Sequence, residues 1–188
     1  MPGPKRFVTP FVLPLAAFSA AIMLGGIFLS LEMCASADPV PFVDALFIST
    51  SAVCVTGLAS VDVFSVFNRL GQTTVLFLIQ LGGLGIITYA TLILYMISRR
   101  ISLRDRLGVT QGLLYSPDFH LGRFLQRMIL SILLVELLGA LLLWQWAPDL
   151  ISPFVALFIS ISAFCNACFA PWADSLIQWK AHWGVNLI

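Results

Sequence analysis

A fifteen-residue segment that occurs twice constrains this chain more than any other feature of its sequence. Residues 45–59 read ALFISTSAVCVTGLA, and residues 156–170, 111 positions later, read ALFISISAFCNACFA, with nine identities and no gap. Each copy is an apolar run too short to cross a bilayer, followed by a small-residue loop and preceded by a segment long enough to cross. Irregular backbone at membrane depth is tolerated only where protein buries it or where it lines a water-filled path. The repeat therefore predicts pore-loop units around one ion pathway.

The composition places the chain in a membrane. It is 60% hydrophobic and 10% charged, whereas soluble proteins carry about a quarter charged residues. Most basic residues lie at the N-terminus or in 98–127: Lys5, Arg6, Arg99, Arg100, Arg104, Arg106, Arg123 and Arg127. Six of the nine acidic residues lie in the other connections. Basic connections stay on the cytoplasmic side. We therefore predict a multi-pass protein of the plasma (cytoplasmic) membrane, in contact with the lipid bilayer, with a cytoplasmic N-terminus.

The apolar runs divide the chain into two units joined by a linker. Spans are predicted at about 11–33, 73–97 and 128–146, short helices at 42–52 and 152–163, and loops at 53–58 and 164–169. The units are then residues 1–97 and 128–188, and the basic linker is 98–127. The second unit stops where its last helix should open, so we interpret the chain as a fragment of an all-α polytopic membrane protein.

The loops have residues suited to a cation filter. A cation that leaves water needs replacement oxygens, and a loop whose carbonyls face the axis supplies them. Such a backbone enters unusual φ/ψ regions, which glycine does at least cost. Gly57 follows Val55 and Thr56 and is placed for this role. The alternative is an ordinary loop glycine.

Several motifs resemble those of the Trk/Ktr/HKT potassium transporters. They are residues 51–58 (SAVCVTGL), 71–72 (GQ), 78–85 (LIQLGGLG), 162–167 (SAFCNA), 174–176 (DSL) and 183–187 (WGVNL). The resemblance covers nearly the whole chain. It implies four membrane–pore–membrane units per subunit, of which this chain holds two, the second incomplete. It also implies a filter glycine from each unit, a homodimer of full-length subunits and a cytoplasmic nucleotide-binding ring that gates transport.

The same resemblance assigns the filter residues. Val55, Thr56 and Gly57 are expected in the first loop and Asn166, Ala167 and Cys168 in the second. Cys168 stands where the family pattern has glycine. A side chain there either protrudes toward the ion or strains the backbone, so the resemblance leaves potassium selectivity open.

Other polar residues have two interpretations each. Cys54 and Cys165 are repeated at the loop starts and are expected to support the filter, and Asp62 and Asp174 either attract cations at the pore mouth or cap helices. Glu136 and Gln80 lie within predicted spans, where a polar group is costly and faces a partner. Glu136 is either an ion-path residue or a structural hydrogen-bond partner; Gln80 and Asn166 are expected to hold a pore loop.

The predicted function is uptake of monovalent cations, chiefly potassium, through a carbonyl-lined filter, with the ion as substrate and no cofactor. One alternative is a non-conducting fragment or half-subunit that needs another chain. Another is a membrane thiol oxidoreductase that uses Cys165 and Cys168, whose spacing fits a redox or metal site. No second cysteine pair supports that site, and we expect neither an enzyme, nor a bound metal, nor a nucleic-acid partner.

Overall fold

The computed structural model describes residues 5–100, 121–146 and 151–171 of the chain, with side chains described from 15–85, 126–146 and 151–171. All regular elements in these ranges are helical, apart from an isolated bridge between Ala35 and Phe67. The helices are α1 (Lys5–Leu29), α2 (Phe42–Val53), α3 (Val63–Val66), α4 (Arg69–Arg100), α5 (Leu121–Trp146) and α6 (Pro153–Phe164), with a 3₁₀ turn at Glu32–Cys34.

Three helices are long enough to cross a hydrocarbon core of about 30 Å. The helices α1, α4 and α5 contain 25, 32 and 26 residues, or about 37, 48 and 39 Å. Among the described side chains, one stretch is both long and apolar enough to span, Gln126–Trp146 in α5. The spans predicted in α1 and α4 agree with the helix lengths and otherwise stay predictions.

The helix α5 exposes apolar side chains on most of its surface. Its buried residues Ile132, Glu136, Ala140 and Leu143 follow helical spacing and form one narrow stripe. The remaining faces are covered by exposed leucines, among them Leu130, Leu133, Leu134, Leu137, Leu138, Leu141 and Leu142. A monomeric soluble protein rarely exposes so continuous an apolar surface. Lipid contact explains this distribution.

The short helices lie where the sequence predicted them, whereas the long helices differ at their ends. The first span was predicted to reach residue 33, but α1 ends at Leu29. The backbone beyond it pairs instead with the segment before α4, since the Ser36 amide donates to the Val66 carbonyl (2.8 Å) and the Asn68 amide to the Cys34 carbonyl (3.0 Å). At the other side, α4 and α5 extend into the predicted 98–127 linker, to Arg100 and from Leu121, because a helix can continue beyond its apolar part.

Asn68 joins this turn to the start of α4. Its Oδ1 accepts hydrogen bonds from the amides of Leu70 (2.9 Å) and Gly71 (3.1 Å), which cap the helix. Its Nδ2 donates to the carbonyls of Met33 (2.8 Å) and Ala35 (3.1 Å). One side chain therefore holds the turn that follows α1 against the beginning of α4.

The short helix α2 packs into a close contact with α1. Ser49 Oγ donates to the Ile22 carbonyl at 2.8 Å, and a Cβ at Gly26 would lie 3.0 Å from Leu46 Cα. The pair α5 and α6 repeats the serine contact, because Ser160 Oγ donates to the Glu136 carbonyl at 2.6 Å. Small residues and serine hydroxyls that reach across helices are a usual means of packing in membranes.

We predict that Asn68→Ala opens the turn that covers Cys34. Cys34 is fully buried, and burial raises the pKa of its thiol, so it should react slowly with maleimides in the native protein. Losing the cap alone costs about 1 kcal/mol, and the two donated bonds are lost with it. Labelling of Cys34 in the folded full-length protein should therefore accelerate at least several-fold in Asn68→Ala.

Asn68→Asp is the matched control, because aspartate keeps the capping oxygen and loses only the donor. Its Cys34 labelling rate should fall between those of the native protein and Asn68→Ala. Equal rates in all three proteins would contradict the role given to Asn68.

Candidate functional site

The two repeated segments have the same backbone conformation. The helices α2 and α6 contain 12 residues each and end in right-handed C-caps at Cys54 and Cys165. The next residue has a positive φ in both copies, 57° at Val55 and 59° at Asn166. We call residues 54–58 loop 1 and residues 165–169 loop 2. The sequence repeat is thus also a repeat of the turn that leaves each short helix.

The first three amides of each loop turn back to the preceding helix. The amides of residues 54, 55 and 56 donate to the carbonyls of residues 50, 52 and 51, at 2.8, 3.2 and 3.0 Å. The equivalent bonds in loop 2 run from residues 165, 166 and 167 to residues 161, 163 and 162, at 2.9, 3.0 and 2.7 Å. These bonds satisfy carbonyls that a helix end would otherwise leave unpaired.

The loop carbonyls are therefore available for another partner. Within the described residues, no donor is bonded to the carbonyl oxygens of Val55, Thr56 or Gly57. The same holds for the carbonyls of Ala167 and Cys168. Chemically, such a loop offers oxygen ligands to a hard cation and no free amide from its first three residues.

A second positive φ follows in each loop, 72° at Gly57 and 57° at Cys168. The left-handed region is nearly free for glycine and costs roughly 1–2 kcal/mol for most other residues. Of the two outcomes foreseen for Cys168, the strained backbone occurs, because its φ lies in the unfavourable region. Its side chain is exposed, with Sγ 3.7 Å from the Asn166 carbonyl oxygen. Val55 is also an outlier, since β-branched residues avoid this region.

The two loops touch each other at Gly57. A Cβ on Gly57 would collide with the Ala167 carbonyl oxygen and lie 2.7 Å from Cys168 Cβ. Position 57 therefore requires glycine both for its φ and for the space that loop 2 occupies. The structure thus brings three of the predicted filter positions, Gly57, Ala167 and Cys168, together.

Serine hydroxyls of the two short helices form hydrogen bonds with the loops. Ser51 Oγ and Thr56 Oγ1 are 2.9 Å apart, whereas Ser162 Oγ donates to the Phe169 carbonyl at 2.9 Å. The difference arises because loop 2 has Ala167 where loop 1 has Thr56. The serines are identical in the repeat, but their role as braces could not be read from the sequence.

Through its glycines, the helix α4 packs against the end of α2, the start of loop 2 and α1. A Cβ on Gly82 would overlap the carbonyl oxygen of Val53, at the end of α2. A Cβ on Gly83 would lie 2.5 Å from Cys165 Sγ, at the start of loop 2. Gly85 faces the Phe18 ring of α1, 2.8 Å from its Cζ. Each of these three glycines thus has a different neighbour.

Gln80, Glu136 and Cys165 meet behind loop 2. Gln80 Nε2 donates to both carboxylate oxygens of Glu136, at 3.1 and 2.9 Å, and Cys165 Sγ lies 4.0 Å from Gln80 Oε1 and from Glu136 Oε1. Glu136 is only 2% exposed. Of its two interpretations, the described contacts match the hydrogen-bond partner.

The remaining predicted residues have separate positions. Asp62 caps α3, with its Oδ1 accepting from the Phe64 amide at 3.0 Å, which is the capping alternative. Cys54 is exposed at the start of loop 1, and all four cysteines are free. Asp174 lies outside the described residues. In the described ranges, no group of three or more His, Cys, Asp and Glu side chains could hold a metal ion.

Two contacts between the units were not foreseen. The Arg69 guanidinium lies 4.3 Å from the centroid of the Phe154 ring, and Phe64 and Phe158 meet edge to face at 4.8 Å. These pairs join the start of α4 and the short α3 to α6. Nothing in the sequence pairs these residues, since they are about ninety positions apart.

Comparisons with known proteins show which sequences this chain is similar to. Residues 15–187 match the family TrkH, described as cation transport protein. The chain is 36% identical to the Ktr system potassium uptake protein B of Bacillus subtilis, over 97% of the chain and 42% of the relative. It is 34% identical to the protein of the same name from Vibrio alginolyticus, over 87% and 37%.

A third relative has a broader name. The potassium/sodium uptake protein NtpJ of Enterococcus hirae is 29% identical, over 92% of the chain and 40% of the relative. The chain thus spans about two fifths of the length of these curated relatives.

We predict that Gly82→Ala destabilises the protein far more than Gly85→Ala. A methyl group on Gly82 would push against fixed backbone at Val53, whereas one on Gly85 meets the end of a ring that can move. Overpacking of this kind costs about 1–3 kcal/mol. Thermal unfolding of the purified full-length protein in detergent should show a clearly larger fall in Tm for Gly82→Ala. Equal Tm values for the two variants would contradict the close packing of Gly82 against the end of α2.

Proposed function

Because this chain belongs to the TrkH family of cation transport proteins, we propose that it forms part of a membrane pathway for monovalent cations, with potassium as the principal ion. Family membership and the lipid-facing surface of α5 support a membrane location. The relatives named for potassium uptake support the choice of ion. The observation that carries the proposal is the pair of repeated loops, in which no described donor is bonded to the carbonyls of Val55, Thr56, Gly57, Ala167 and Cys168.

The loops suit an ion that must exchange water for protein oxygen. Their first amides are used by the preceding helices, so the carbonyls of Val55, Thr56 and Gly57 can face a cation in loop 1. In loop 2 the corresponding residues are Asn166, Ala167 and Cys168. Carbonyl oxygens can replace the hydration shell of a potassium ion without adding formal charge. The C-terminal ends of α2 and α6 add a negative dipole end beside each loop.

The other site residues support the loops in this proposal. Cys54 and Cys165 begin the loops, Gln80 and Glu136 stand behind loop 2, and Asp174 is kept as a residue of the pore mouth. Asp62 acts through its cap on α3, which leads the chain away from loop 1. None of these side chains is assigned as an ion ligand.

The organisation of the whole protein is part of the same proposal. Residues 1–97 and 128–188 form two membrane–pore–membrane units on either side of a cytoplasmic linker, with the N-terminus in the cytoplasm. The relatives are more than twice as long, which is compatible with four units in a full subunit. A homodimer and a cytoplasmic nucleotide-binding ring are the proposed partners.

We predict that the full-length gene rescues a potassium-uptake-deficient bacterium on low potassium and that Gly57→Ala abolishes the rescue. The added methyl would force both an unfavourable φ and a collision with Ala167. Growth at limiting potassium is the measurement, with membrane abundance checked by immunoblot. Gly85→Ala is the matched glycine control and should still rescue. Failure of the native gene despite good membrane expression would contradict the proposed function.

We predict that Cys168→Gly sharpens selectivity for potassium over sodium. Removing the side chain releases the strain of a positive φ at a non-glycine residue and takes a Cβ away from Gly57. The ratio of rubidium to sodium flux into proteoliposomes of the full-length protein should rise several-fold. Ser36→Gly introduces a glycine at an exposed residue outside both loops, where φ is not positive, and should leave the ratio nearly unchanged. An unchanged ratio in Cys168→Gly would show that this position does not limit selectivity.

A further inference from the structure

Glu136 is a buried carboxyl group that the cation pathway itself does not use. It lies on the inner stripe of α5 at 2% exposure, and its described side-chain contacts are with Gln80 of α4 and Cys165 of loop 2. A polar pair at membrane depth is costly unless each member satisfies the other. The pair therefore joins the last helix of the first unit to the first helix of the second.

Cys165 is held between this pair and α4. On one side its Sγ lies 4.0 Å from Gln80 Oε1 and 4.0 Å from Glu136 Oε1. On the other side lies Gly83, where an added Cβ would be 2.5 Å from the same sulfur and 3.1 Å from Cys165 Cβ. The first residue of loop 2 thus has little room to move in either direction.

Loop 2 needs such support more than loop 1 does. Both of its left-handed residues, Asn166 and Cys168, carry side chains, whereas loop 1 has Gly57 at the second position. Strained backbone persists only where the surroundings determine it. Loop 1 has no equivalent pair, since the residue 111 positions before Glu136 is Gly25. A Cβ there would already collide with Ser49 Oγ.

We propose that the hydrogen-bonded pair Gln80–Glu136 positions loop 2 through Cys165 and thereby sets its ion selectivity, a role that rests on the cation pathway proposed above. Glu136 is a positioning residue and not an ion ligand, because its carboxyl group is buried between helices behind the loop. The geometry that matters is the amide-to-carboxyl hydrogen bond. Replacing the carboxyl with an amide of the same shape preserves an acceptor for that bond.

The test uses the full-length protein in proteoliposomes and compares Glu136→Gln, Glu136→Leu and Gln80→Leu. The first readout is the ratio of rubidium to sodium flux. We expect Glu136→Gln to keep the native ratio, and both leucine variants to lower it by about fivefold, which corresponds to roughly 1 kcal/mol at 1.4 kcal/mol per tenfold. Ser131→Leu is the matched control, because it also replaces a polar residue of α5 but at an exposed position.

The second readout does not depend on transport. Maleimide labelling of Cys165, measured by mass spectrometry relative to the exposed Cys54 in the same molecule, should rise in both leucine variants and stay native in Glu136→Gln. If Glu136→Leu does not fold, Gly83→Ala displaces Cys165 from the opposite side and should also lower the flux ratio, with Gly85→Ala as its control.

The outcomes separate the two proposals. A native protein that carries no cations overturns the proposed function, and the labelling then still decides whether the pair holds loop 2. A conducting native protein whose leucine variants keep both the flux ratio and the Cys165 labelling overturns the positioning role. Glu136→Gln that behaves like Glu136→Leu overturns the hydrogen-bond basis of the role.

Discussion

The hydrogen bonds that turn three loop amides back to each short helix are the interaction on which the rest of the site depends. A helix that ends within a bilayer has unpaired carbonyls and no water to satisfy them. In α2 and α6 the chain solves this with its own next residues, which requires a left-handed residue at Val55 and at Asn166. The carbonyls of Val55, Thr56 and Gly57 that follow have no described donor. Helix capping and the unpaired carbonyls to which the proposed function assigns a cation are therefore two results of one backbone turn.

The support for these turns comes mainly from α4. Its Gly82 packs against the end of α2 and its Gly83 packs against the start of loop 2. Its Gln80 donates a hydrogen bond to Glu136 of α5. At the opposite part of the molecule Asn68 fixes the beginning of the same helix. A single helix thus sets the relative position of the two loops. This explains why three glycines within four residues lie close to the partly buried amide of Gln80 in a sequence that is otherwise apolar.

Much of the fold could be predicted from the sequence because the repeat is both local and strong. The short helices were predicted at 42–52 and 152–163, and they are Phe42–Val53 and Pro153–Phe164. The helix ends were less predictable. An apolar run shows which residues can lie in lipid, but α1 ends at Leu29 because the backbone that follows it forms hydrogen bonds with residues 66–68. The positive φ of Val55 could not be foreseen, because its residue type disfavours that region. The contacts of Glu136 and of Arg69 join residues far apart in the chain, so no local pattern reveals them.

The central claim is that a cation binds at the loop carbonyls. The most direct test is rubidium anomalous diffraction from crystals of the full-length protein grown in rubidium, compared with crystals grown in lithium. The account predicts anomalous density beside the carbonyl oxygens of Val55, Thr56 and Gly57 in rubidium alone. Rubidium density that lies elsewhere in the protein, with these carbonyls unoccupied, would contradict it.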